Sequence, residues 1–159
     1  MADALHAAAL RLLTGRALSE RELSDRLLRR GFSPAAVRAE VERLRQAGLA
    51  NDLEVARATC ASGLRRGYGR QRLAALLARR GVGEEAARQA LAEISPQEEE
   101  GALVRALERL GRRAGGPEAL PPEPGKVVRY LLTRGFPASL VGRAGGKNLG
   151  HGIHSTSDD

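Results

Sequence analysis

The sequence predicts an all-α fold built of tandem three-helix repeats, elongated and modular, and three observations carry that prediction. The first is internal repetition. Leu23, Leu27 and Leu28 lead into Arg30-Gly31-Phe32, followed by Val37, Val41 and Leu44. The same order returns about fifty residues on in Leu73, Leu77, Arg80, Gly81, Val82, Leu91 and Ile94, and in outline in Val127, Leu131, Arg134, Gly135, Phe136 and Val141. Self-similarity at this period marks helical units that pack mainly against their sequence neighbours. The second observation is the spacing inside each copy. Apolar residues four and five apart form one stripe on a helix, whereas strands would alternate. The third is composition: aromatic residues make up 3% of the chain and Trp is absent. The core must therefore come from Leu, Ala and Val, which suits closely approaching helices.

Each element then has its own signals. Residues 3–14 carry Leu5, Ala9, Leu12 and Leu13 on one face, and Gly15 closes that helix. Ser19 and Glu22 have the spacing of a capping box ahead of a helix over 20–30. Gly31 stands where a left-handed residue ends it, and Arg30 faces the negative end of the helix dipole. Ser33-Pro34 starts a helix to about Ala47, closed by Gly48. Asn51 or Asp52 caps the next, whose face is Leu53, Ala56, Cys60 and Leu64 and whose end is Arg65-Arg66-Gly67. After the joint Gly67-Tyr68-Gly69 come helices over 70–80, 84–94 and 97–112, the last with a second capping box at Ser95 and Glu98. A Pro/Gly-rich stretch follows, then helices over 126–134 and 138–144. The organisation expected is an N-terminal helix (1–19), repeat 1 (20–66), repeat 2 (67–113), a linker (114–125), a truncated repeat 3 (126–144) and a disordered tail (145–159).

Charge is unevenly spread. The 159 residues carry a formal net charge of +7. No acid lies between Glu54 and Glu84, while Arg57, Arg65, Arg66, Arg70, Arg72, Arg79 and Arg80 all do. A single-sign patch of this kind suits a polyanion or an acidic protein groove. Cys60 stands alone, so no internal disulfide can form, which is compatible with a reducing cytoplasm. No secretory signal or membrane-spanning stretch is evident.

With these residues in hand, the chain resembles the RecX family of bacterial recombination regulators. The matching phrases are Ala9-Leu-Arg-Leu-Leu-Thr14, Ser19-Glu-Arg-Glu-Leu23, Leu27-Leu-Arg-Arg-Gly-Phe32, Leu44-Arg-Gln-Ala-Gly-Leu49, Ala56-Arg-Ala58 and Gly69-Arg-Gln-Arg-Leu73. The resemblance implies a protein that binds the RecA recombinase and its nucleoprotein filament on single-stranded DNA, and restrains filament growth, ATP hydrolysis and strand exchange. It implies no catalytic motif. The chain departs from the family in its Pro-rich insertion and in Gly142, Gly145 and Gly146, which interrupt the third repeat.

Candidate contact residues come from the chain itself. Arg65, Arg66, Arg70 and Arg72 flank Tyr68, with arginine suited to bidentate pairing with phosphate or carboxylate and Tyr68 able to stack. Arg79 and Arg80 join them as candidates, although capping a helix end explains both. A helix-turn-helix regulator of transcription is the alternative, with residues 34–47 as recognition helix, but that helix sets Arg38, Arg43 and Arg45 against Glu40 and Glu42. No convergent His, Ser, Cys or carboxylate set supports an enzyme. His151 and His154 lie in a Gly-rich tail without supporting ligands, and Gly145-Gly-Lys-Asn148 lacks the first glycine and the Ser or Thr of a phosphate loop. His6 reads as a surface residue and Cys60 as a buried one. Neither a metal nor a cofactor is expected, the partners expected are the RecA recombinase and its nucleoprotein filament with weak nucleic-acid binding, and the protein is expected to be a cytoplasmic monomer.

Overall fold

A computed structural model describes residues 1–116 and 122–149. Among them every regular element is helical: α1 (Ala2–Gly15), α2 (Glu20–Arg29), α3 (Pro34–Gln46), α4 (Asp52–Arg65), α5 (Arg70–Arg79), α6 (Glu84–Ala92), α7 (Pro96–Arg113), α8 (Pro124–Thr133) and α9 (Ala138–Leu149). The starts fall where side chains can replace missing backbone partners. Ser19 and Ser95 each form a complete capping box, with Glu22 and Glu98 reaching back, and Ser33 accepts from the Ala36 amide ahead of Pro34. Asn51, rather than Asp52, caps α4, accepting from the Leu53 and Glu54 amides at 3.1 and 3.2 Å.

The repeated Arg-Gly-apolar phrase is a helix-ending device. Gly31, Gly81 and Gly135 have φ of 89°, 68° and 88°, a region that side chains disfavour. In each case the amide of the following apolar residue returns to the helix it leaves: Phe32 to the Leu27 carbonyl, Val82 to Leu77 and Phe136 to Leu131. Val82 and Phe136 are thereby driven into the core. Gly15 ends α1 as expected, without a left-handed turn. It is the last residue of α1, and Arg16 leaves the helix in extended conformation.

Contacts divide the chain into two compact units, one of Met1–Ser62 with Ala74–Ile94, the other of Gly63–Leu73 with the described residues from Ser95 onward. In the first, Leu5, Ala9, Leu18, Leu23, Leu27, Val37 and Leu44 make a continuous core with partly buried Phe32 against it. Cys60 is buried. One carboxylate fastens two helix starts there. Asp52 accepts from the Glu20 amide at the start of α2 and from the Gly83 amide at the start of α6, both at 2.8 Å.

In the second unit, Leu64, Leu73, Ala102, Leu103, Ala106, Leu131, Phe136, Leu140 and Val141 are buried. Ala102 and Ala106, four apart on α7, leave room for the turn after α4. A Cβ on Gly67 would stand 2.9 Å from the Ala106 amide nitrogen and 3.2 Å from the Ala102 carbonyl oxygen. The last two helices are longer than the sequence suggests. Pro124 opens α8 two residues early, as proline at a first helical position can. α9 runs to Leu149, through the glycines expected to end it and into the expected tail. The remainder of that tail, 150–159 with His151 and His154, lies outside the described residues, as does 117–121 of the linker.

Candidate contact surface

The basic joint is built in the second unit where α4 ends and α5 begins. Gly67, at φ 75°, turns the chain, and the Tyr68 amide returns to the Gly63 carbonyl at 3.0 Å. Tyr68 then projects from a short segment held at both ends. Arg72, near the start of α5, lies over its ring with Cζ 4.3 Å from the centroid. Arg134, from the end of α8, lies over the same ring at 5.2 Å and over Tyr130 at 5.0 Å. The electron-rich ring faces attract the two guanidinium groups and restrain them.

The backbone of α8 completes the joint. Gly69 donates to the Arg134 carbonyl at 2.8 Å and Gln71 to the Gly135 carbonyl at 3.1 Å, so carbonyls at the end of α8 satisfy amides at the start of α5. The Arg134 guanidinium also donates to the Arg66 carbonyl at 3.4 Å. The approach is too close for side chains. A Cβ on Gly69 would stand 2.5 Å from the Gly135 carbonyl carbon, and one on Gly135 would land on the Arg72 backbone.

The structure sorts the seven arginines that the sequence groups together. Arg57 pairs with Glu54 and, in bidentate fashion, with Glu93. Its hydrogen bonds to these carboxylates raise its pKa further, while the Arg57 guanidinium holds Glu93 below the usual carboxylate range. Arg70 faces Glu99 at 3.5 Å, and its own amide donates to the same carboxylate. Arg80 is largely buried in the first unit, donating to Glu22 at 2.9 and 3.1 Å, to the Thr59 hydroxyl at 2.8 Å and to the Ala17 carbonyl at 2.7 Å. The absence of acids along this stretch therefore does not mean that its cations are unpaired, because Glu22, Glu93 and Glu99 reach them from distant parts of the chain. Arg65, Arg66 and Arg79 are exposed, and Arg72 is half-buried. None of the four has an ion pair among the described residues. Arg79 and Arg80 belong to the first unit, apart from the joint.

Arg134, Tyr130 and Glu99 are the members of the joint that sequence reasoning missed. The phrase Arg134-Gly135-Phe136 did signal a helix end, but not that this end would dock on the start of α5. His6, expected at the surface, keeps 38% of its side chain exposed and has a partner there. Its Nδ1 lies 2.6 Å from Glu40, which is buried and held by Arg43 at 2.8 Å. A cavity of about 660 Å³ between α7, α8 and α9 is walled by Leu107, Leu110, Val127, Val128, Leu131 and Val141 among others. Its charged wall residue is the acid Glu123, so it cannot extend the basic surface.

Two family models match the chain over the helices described above: the RecX first three-helix domain at residues 6–44 and the RecX second three-helix domain at 51–91. The regulatory protein RecX of Chromohalobacter salexigens is 36% identical over 136 residues, covering 86% of this chain and 87% of its own length. This chain belongs to the RecX family. The regulatory protein RecX of a Mycobacterium species (strain JLS) is 38% identical over 144 residues, with 86% of this chain and 76% of that protein covered. The crystal structure of RecX from Lactobacillus salivarius superposes with a TM-score of 0.78 over 93% of this chain and 96% of that one, at 19% identity. The likeness in fold thus extends beyond the two matched RecX domains. No helix among the described residues is long and apolar enough to cross a membrane.

Proposed function

We propose that this RecX-family protein binds the RecA recombinase or its filament on single-stranded DNA and mainly inhibits its ATP hydrolysis, filament growth and strand exchange. It acts as a monomer in the cytoplasm, in recombination and DNA repair, and touches the filament through the basic joint. The observation that carries the choice of surface is the set Arg65, Arg66 and Arg72, cations without an ion pair among the described residues that flank Tyr68 in the chain, with Arg72 over its ring. Arg70 contributes less because Glu99 already faces it. Arg79, without an ion pair among the described residues, offers a contact in the first unit, whereas Arg80 is occupied by Glu22.

A transcription regulator would need α3 to read a major groove. Two of the three arginines on that helix are paired with acids of the same helix. Arg45 is bidentate to Glu42 at 2.6 and 2.8 Å, and Arg43 is held by Glu40. Hydrogen bonds from Arg45 and Gln46 lower the Glu42 pKa to about 2, so this partner stays ionised. Only Arg38 of the three arginines remains without an ion pair among the described residues, too little for sequence readout.

The test is recombinase ATP hydrolysis on single-stranded DNA, titrated with the wild type and with a variant in which Arg65, Arg66, Arg70 and Arg72 are all alanine. Each exposed charge-assisted contact contributes on the order of 1 kcal/mol, so three effective contacts correspond to roughly a hundredfold weaker inhibition. A folded quadruple variant that inhibits at the wild-type concentration would falsify the choice of surface. Failure of the wild type itself to change the hydrolysis rate would reject the function.

A further inference from the structure

The docking of α8 on the joint assigns the third helical segment a purpose that the repeats alone do not suggest. Arg134 is not merely the cap of its own helix. It shares the Tyr68 ring with Arg72, reaches Tyr130 and donates to the Arg66 carbonyl, so groups from the joint, α5 and the end of α8 meet in one assembly. Arg72 and Arg134 are half-buried, Arg66 is exposed, and none of the three has an ion pair among the described residues. Two guanidinium groups stacked over one ring would repel each other unless an anion lay near, and the acids that relieve Arg57, Arg70 and Arg80 do not reach them.

Which part of a nucleic acid such a surface can read follows from what is already occupied. Both arginines lie over Tyr68, which leaves the ring poorly placed to stack a base. The first amides of α5 are taken by Arg134, Glu99 and Gly135, so the helix start cannot hold a phosphate either. What remains for an incoming anion is guanidinium N–H groups, pre-positioned by aromatic rings and suited to bidentate contact with phosphate oxygens.

We propose that Arg66, Arg72 and Arg134 form one composite platform, shared between the joint and α8, that grips the phosphodiester backbone of single-stranded DNA, with Tyr68 and Tyr130 as spacers rather than base-stacking residues. A polyanion with a charge on every residue can engage all three cations at once, which isolated carboxylates on a protein surface rarely do, and this favours the nucleic acid. The proposal rests on the basic joint being the contact surface and deepens it: Arg134 becomes a contact residue, and Tyr68 becomes a positioning residue.

The experiment uses the full chain and fluorescein-labelled single strands without recombinase, one of mixed sequence and one of the same length made of abasic sites, with anisotropy read across a salt series. Both strands are expected to bind within about twofold of each other, weakly and with strong salt dependence, since phosphate contacts release counterions. Arg134→Gln, which keeps a planar group over the rings, should lower the log–log salt slope by about 0.7 and weaken low-salt affinity several-fold, as loss of one phosphate contact does on single strands. Arg72→Gln should do the same, Tyr68→Phe should be silent, and Tyr68→Leu should lose affinity by freeing the arginines. Because the chain has two Tyr and no Trp, and both Tyr lie in this assembly, near-ultraviolet circular dichroism shows directly whether each arginine variant keeps the arrangement. A tenfold loss on the abasic strand would overturn the proposal in favour of base stacking. An unchanged salt slope in Arg134→Gln with the tyrosine signal intact would remove Arg134 from the surface. Loss of recombinase inhibition in Arg134→Gln with DNA affinity unchanged would show that the platform meets recombinase carboxylates instead, which also overturns it. The DNA measurement contains no recombinase, so failure of the platform and failure of the proposed regulatory function are read separately.

Discussion

Arg79 and Arg80 are neighbours with the same side chain, and replacing each by alanine should have very different consequences. Arg80 keeps 19% of its side-chain surface exposed and Glu22 keeps 24%. Arg80→Ala deletes two hydrogen bonds to the Glu22 carboxylate, one to the Thr59 hydroxyl and one to the Ala17 carbonyl. It leaves Glu22 partly buried, although the Ser19 amide still donates to it at 3.0 Å. Bonds to charged groups contribute about 1.5 to 3 kcal/mol each when fully buried, and truncating one partner of a buried pair costs about 3 to 5 kcal/mol. Partial exposure and the remaining Ser19 bond scale that down to roughly 2 to 4 kcal/mol. For a unit of this size that is a fall in Tm of about 8 to 30 °C. Arg79 is exposed with no ion pair among the described residues, so Arg79→Ala should stay within about 0.5 kcal/mol of wild type. Thermal melts followed by far-ultraviolet circular dichroism decide it. If Arg80→Ala melts within about 2 °C of Arg79→Ala, a figure well below the smallest shift expected, the Ser19–Glu22–Arg80 network does not hold the first unit together, and Arg80 is not the structural residue its hydrogen bonds suggest.

Other outcomes follow from the same structure. Leu27, with none of its surface exposed, should cost roughly 2 to 4 kcal/mol on truncation to alanine, measured by urea denaturation. Gly48→Ala and Gly135→Ala both force a side chain into φ near 80°, but only the second meets backbone, so it should cost clearly more than the roughly 1 kcal/mol of Gly48→Ala and should disturb the near-ultraviolet tyrosine signal. Acid should destabilise the first unit through Glu22. Burial pushes its pKa up, but hydrogen bonds from Arg80 and the Ser19 amide, with the charges of Arg80 and Arg16, outweigh this and hold it below its ordinary 4.5. A depressed carboxylate stabilises fully above its ordinary value and loses that contribution as pH falls through the folded one, so Tm should drop below pH 4.5. Glu20, raised by burial and by Asp52, works in the opposite direction, and Arg80→Ala should therefore show a shallower acid fall than wild type.

The chain by itself determined its helices, because their signals are local. Ser19 with Glu22, Ser33 with Pro34, and Ser95 with Glu98 satisfy amides within a few residues, and Gly31, Gly81 and Gly135 supply the left-handed turn where each helix ends. The leucine stripes named most of the core for the same reason, since a helical period fixes which residues share a face, although Leu28 stays 40% exposed beside buried Leu23 and Leu27. The arrangement of charge was a tertiary decision. Whether an arginine is free depends on which acids the fold brings to it, and Glu22, Glu93 and Glu99 come from 58, 36 and 29 residues away. No local pattern distinguishes Arg80, buried on Glu22, from Arg79 beside it. Likewise Asp52 reads as one more cap residue, and only folding places its two oxygens on the starts of α2 and α6. Arg134-Gly135 marks a helix end in sequence, but its contact with Tyr68 and the start of α5 exists only because Gly69 and Gly135 leave space for two backbones to meet.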